Sequence, residues 1–110
     1  MRNTLLLAGL LIALPAAVAA EPPSAWQVGN DGFVIHYRPA DLRDASYRGQ
    51  LLQTLERSAT RLCAGLAPRR VAVRCAADRV AAATARLPRY VQQAVVLAQR
   101  ERDALQLAAR

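Results

Sequence analysis

Cys63 and Cys75 are the two cysteines of this chain. An amphipathic stretch ends at the first and a second begins at the second. Two thiols in an exported chain point to one disulfide, and only one intramolecular pairing exists. Such a link ties the end of one helix to the start of the next. Chain entropy makes a loop of this size worth about 3 kcal/mol, a large share of the 5–15 kcal/mol typical of a domain. A redox-active pair is the alternative. Those pairs usually sit as Cys-x-x-Cys at a helix start, where the helix dipole lowers one thiol pKa. This spacing does not match.

The oxidising compartment is inferred from residues 1–20. Met1-Arg2-Asn3 is a short positive start and Leu5 to Leu14 an apolar run. Ala17-Val18-Ala19 and Val18-Ala19-Ala20 both fit the small-residue rule for cleavage. The segment reads as a secretory signal peptide cut near Ala19 or Ala20. The apolar run is short of the about 20 residues a bilayer span requires, and no cysteine stands at the cut to carry a lipid. Ala-rich flanks and the lack of a glycosylation sequon point to a bacterial envelope, periplasmic or secreted. Cleavage leaves 90 residues, a domain whose modest core gains from a staple.

Glu21-Pro22-Pro23-Ser24 is a polar, Pro-rich leader, and residues 21–32 divide into this flexible part and a possible first strand at Trp26–Val28. Gly29-Asn30-Asp31-Gly32 is dense in turn formers. Phe33 to Tyr37 is the clearest strand, with Phe33, Ile35 and Tyr37 on the face expected to meet the helices and His36 on the other. Pro39 stops it. Ala40 to Asp44 is a connector, and Asp44 is a good N-cap for a helix from Ala45. Leu51, Leu52, Leu55, Ala59, Leu62 and Leu66 recur at helical spacing. Arg48, Gln53, Glu56, Arg57 and Arg61 fall mainly on the opposite side. The helix should end between Cys63 and Gly65. Val71-Ala72-Val73 is ambiguous, alternating like a strand yet leading into a helix whose stripe is Ala76, Val80, Ala83 and Leu87. Pro88 breaks it. A third helix runs from about Arg89 to Leu107, with Val91, Ala94, Val95, Ala98 and Leu105 as its buried stripe. Its polar stretch from Gln99 to Asp103 is expected to project into solvent or fray. The fold class is mainly α: a short N-terminal strand or hairpin, three helices and one disulfide.

Phe33 to about Leu97 resembles the UrcA family of small exported bacterial proteins. The matching features are a strand ending in Tyr37, then Asp41-Leu42, then Gly49, Leu52, Leu55, Arg57, Ala59, Leu62 and Cys63 at helical spacing, and Cys75 leading an Ala-rich helix. The link Arg38-Pro39-Ala40 is longer than the family pattern. The resemblance implies that residues 33–110 form one UrcA-like domain. It brings no catalytic residues, and the family has no established activity. The expectation is an exported, non-enzymatic, stress-related envelope protein of unknown biochemical activity.

The remaining constellations are weak as chemistry. His36 is the single histidine, and with both cysteines in a disulfide only scattered carboxylates remain, so neither a metal nor another cofactor is expected. Ser24, Ser46 and Ser58 lack a nucleophile-elbow context. Asp44 is explained as a cap, which leaves no geometry for an Asp41–Asp44 pair. No glycine-rich phosphate loop occurs. The lead is charge. The net charge is +7, with 15 basic and 8 acidic residues, and every basic residue is arginine. High-GC coding accounts for that choice, although the guanidinium fork also suits phosphate. Arg57 and Arg61 lie one helical turn apart. Arg69, Arg70 and Arg74 cluster at the disulfide loop, with Arg79 one turn further. Solvated arginines partly paired by Glu56 and Asp78 are the plain alternative to a patch for anionic lipid or another envelope surface. Nucleic acid is disfavoured by export and by few aromatics for stacking.

Overall fold

A computed structural model describes residues 21–30 and 32–110; the segment read above as a signal peptide lies outside the described residues. The order is β1 (Ser24–Val28), β2 (Gly32–His36), a 3₁₀ turn (Pro39–Arg43), α1 (Ala45–Leu62), α2 (Arg69–Ala85) and α3 (Arg89–Ala108). The chain is mainly helical, with an N-terminal antiparallel hairpin and the Cys63–Cys75 disulfide.

The hairpin register pairs Ser24 with His36, Trp26 with Val34 and Val28 with Gly32. Gly29 begins the turn at φ +70°, a left-handed conformation that glycine adopts without steric cost. β1 begins at Ser24, inside the stretch read as leader, because the ladder continues back to His36; Pro23 is buried. Alternation puts Phe33 and Ile35 on the core side, and Tyr37 packs there just beyond the strand. The connector is a 3₁₀ turn rather than an irregular loop. Its Leu42 is 7% exposed and joins the core. The Tyr47 hydroxyl accepts from the Arg38 amide at 2.7 Å, which fixes the path from strand to helix.

α1 starts as Asp44 predicts: its Oδ2 accepts from the Tyr47 amide at 3.0 Å. Leu51, Leu52, Leu55 and Ala59 are all buried. Val91, Ala94, Val95 and Ala98 of α3 pack on them, and the two alanines let the helices approach closely. Two stripe assignments fail. Leu66 is 47% exposed, because α1 ends at Leu62 and Gly65, at φ +91°, turns the chain away. Leu105 is 73% exposed, lying on α3 beyond the last buried residue, Ala98.

Val71-Ala72-Val73 is helical. None of α2 is fully buried, although Val80 and Ala83, with Leu87 after the helix, pack at the edge of the core. Cys63, 1% exposed, and half-buried Cys75 join α2 to the end of α1 with Cα atoms 5.9 Å apart, within the range a disulfide spans.

Candidate functional site

Two polar regions stand out, one made from α2 and one between α1 and α3. The first contains the arginines singled out above. Arg69 and Arg70 open α2, and Arg74 lies one turn beyond Arg70; all three are exposed. Pro68 at the N-cap offers no side-chain cap, and the first turn carries no acid. Amide hydrogens and guanidinium groups are therefore gathered at one helix end. Arg70 and Arg74 line a shallow depression with Val71, Cys75 and Asp78. Arg69 is not part of that lining. Arg79, one turn further along the chain, lines a different crevice against β2, so the sequence cluster divides between two faces of α2.

Glu56, expected to temper these arginines, is engaged elsewhere. Arg102 Nη1 donates to both of its carboxylate oxygens at 2.7 Å. Closer to the core, Arg48 is 9% exposed. It donates from Nε to Glu101 Oε1 at 3.2 Å and from Nη2 to Oε2 at 2.6 Å. Its Nη1 donates to the Leu42 carbonyl at 3.0 Å. The hydrogen bonds to Glu101 hold the Arg48 pKa above its ordinary value, against the opposing effect of burial.

These contacts correct two expectations. Arg48 does not lie on the solvent side of α1, and the stretch Gln99 to Asp103 does not simply project from α3. Glu101 and Arg102 fasten that stretch to α1. The signal was present in the spacing. Arg48 precedes Leu51, Leu52 and Leu55 by three, four and seven, and Glu101 follows Ala94 and Ala98 by seven and three. Opposite charges on two facing apolar stripes mark a cross-helix pair, and neither helix reveals it alone.

Beside these pairs the two helices leave a groove of 720 Å³ with Gly49, Leu52, Ala98 and Leu105 in its wall. The two carboxylates of the connector have separate partners. Asp44 caps α1, and Asp41 Oδ2 meets Arg38 Nε at 3.2 Å as a charge contact rather than an aligned hydrogen bond. Burial, and then the neighbouring Tyr90 hydroxyl, raise the Tyr37 pKa. Among the described residues no three His, Cys, Asp or Glu side chains converge as metal ligands would. No helix there is long and apolar enough to cross a membrane.

Compared with family models, curated proteins and solved structures, the chain matches none.

Proposed function

We propose that this is an exported, non-enzymatic UrcA-like protein of the bacterial envelope, periplasmic or secreted. The observation that carries the reading is the Cys63–Cys75 disulfide, which joins two helices inside a small domain. Structural disulfides of this kind persist in oxidising compartments, and the N-terminal sequence has the form of an export signal. Intact-mass analysis of the protein from a periplasmic fraction tests it. The expected species begins at Ala20 or Glu21 and gains two hydrogens on reduction. A full-length cytoplasmic species with both thiols alkylatable would refute it.

A second reading concerns what the protein touches once exported. The exposed arginines at the start of α2, in a chain of net charge +7, favour contact with anionic lipid headgroups. Sedimentation with anionic vesicles at low salt is the measurement. Binding should weaken with salt and in Arg69→Ala/Arg70→Ala. Binding indifferent to both, or none, would remove this reading.

A further inference from the structure

Thr54, Arg57, Ser58 and Arg61 follow one another along α1 at steps of three, one and three. That spacing sets all four on one stripe of the helix. α1 is in contact with β1, and the stripe lines a crevice whose other wall is Pro23 and Ser24 at the start of that strand. Pro23 is buried, Thr54 and Ser58 are half-buried, and Arg57 and Arg61 are exposed.

No carboxylate lines this crevice. Glu56, the acid beside Arg57 in the chain, is held by Arg102 of α3 through two hydrogen bonds at 2.7 Å. Among the described residues neither Arg57 nor Arg61 has an ion-pair partner. Like charges four residues apart on a helix repel each other, and an anion between them removes that repulsion. The helix dipole accounts for a cation in the last turn, Arg61, but fades within that turn and does not account for Arg57. The Thr54 hydroxyl donates to the Gln50 carbonyl at 2.7 Å. The Ser58 hydroxyl makes no hydrogen bond to the described residues and is free to donate.

We propose that this crevice is a binding site for a phosphoryl group, held between the Arg57 and Arg61 guanidinium groups with Ser58 donating a third contact. Each guanidinium presents a fork of N–H donors. A group with three terminal oxygens meets two forks and a hydroxyl, whereas a carboxylate has only two oxygens to offer. The crevice volume is about 200 Å³, below the roughly 300–1,000 Å³ of pockets that enclose drug-sized ligands. The ligand is therefore inorganic phosphate or the terminal phosphate of a larger molecule, either a soluble ester or a lipid headgroup. The site is built from α1 and the start of β1. It includes none of Arg69, Arg70 and Arg74 and does not depend on the anionic-lipid reading above.

The full oxidised protein is titrated with sodium phosphate and with glycerol phosphate while backbone amides are followed by heteronuclear NMR. Sodium chloride and sodium acetate at matched ionic strength are the controls. The expected result is a saturable shift confined to residues 23–25 and 54–61, produced by the phosphates only. Arg57→Ala and Arg61→Ala should each weaken binding roughly tenfold or more, with far-ultraviolet circular dichroism unchanged. Arg61→Lys, which keeps the charge and loses the fork, should weaken it by a smaller factor. Arg69→Ala/Arg70→Ala should leave it as it is. Phosphatidic acid vesicles assign the source: displacement of phosphate from the crevice identifies a lipid headgroup, and undisturbed phosphate binding identifies a soluble phosphate. Shifts spread over all the arginines, shifts matched by chloride or acetate, or wild-type phosphate binding in Arg57→Ala would overturn the site.

Discussion

Replacing Glu101 with alanine leaves the Arg48 guanidinium in place with one protein acceptor, the Leu42 carbonyl, where the wild type offers three oxygens. The Arg48 side chain is 11% exposed, so water reaches it poorly; that of Glu101 is 35% exposed. Breaking a fully buried pair by removing one partner costs about 3–5 kcal/mol. Lost hydrogen bonds to a charged group cost about 1.5–3 kcal/mol. The partial exposure of Glu101 lets water replace some of what is lost, which places Glu101→Ala at about 2–3 kcal/mol. In a domain of this size that lowers Tm by roughly 10–20 °C. Removing both charges should cost less than removing one, because Arg48→Met/Glu101→Leu leaves no stranded guanidinium. The exposed Arg102–Glu56 pair supplies the control: its side chains are 44% and 38% exposed, and Glu56→Ala should cost about 1 kcal/mol or less. Urea unfolding followed at 222 nm, arranged as a double-mutant cycle, gives the coupling directly. A coupling below about 0.5 kcal/mol, or equal costs for Glu101→Ala and Glu56→Ala, would refute the argument that burial distinguishes the two pairs.

Removing the staple by Cys63→Ala/Cys75→Ala should cost about 3 kcal/mol by chain entropy. Hydrogen exchange should show the loss first in residues 69–79 of α2, where no side chain is fully buried, and last in Leu51 to Ala59. Asp44→Ala removes the side-chain acceptor for the Tyr47 amide and should lower stability by about 1 kcal/mol in the same urea assay. For Tyr37 the pKa is raised in the folded protein, so the native state holds that proton more tightly than the unfolded chain does. Its contribution is complete below the unfolded value near pH 10 and is lost as pH rises through the higher folded value. Thermal unfolding between pH 9 and 11.5 should therefore show a falling Tm, with a shallower slope in Tyr37→Phe.

Helices and caps were legible because they depend on near neighbours. The 3.6-residue recurrence of Leu51, Leu52, Leu55 and Ala59 marks α1, the Asp44 carboxylate reaches an amide three residues away, and Pro88 excludes continuation of α2 into α3. The cysteine spacing and the alternation of Phe33 with Ile35 carried the staple and the hairpin faces. Where the reading failed, the deciding partner was distant. Arg48 looked solvent-facing until Glu101, 53 positions away, was brought against it. Leu105 looked buried until α3 ran on past its last buried contact at Ala98.

The candidate surfaces divide in the same way. Sequence alone determined that arginines crowd the start of α2, since charge on adjacent residues needs no fold to be counted. It could not determine that Trp26, Val28 and Val34 share an exposed face, or that Arg86 lines a crevice with the inward-facing Phe33 and Ile35. A strand's two faces are equivalent until a helix covers one of them. Only the packing of Phe33 and Ile35 against the helical core settles which side is left to water.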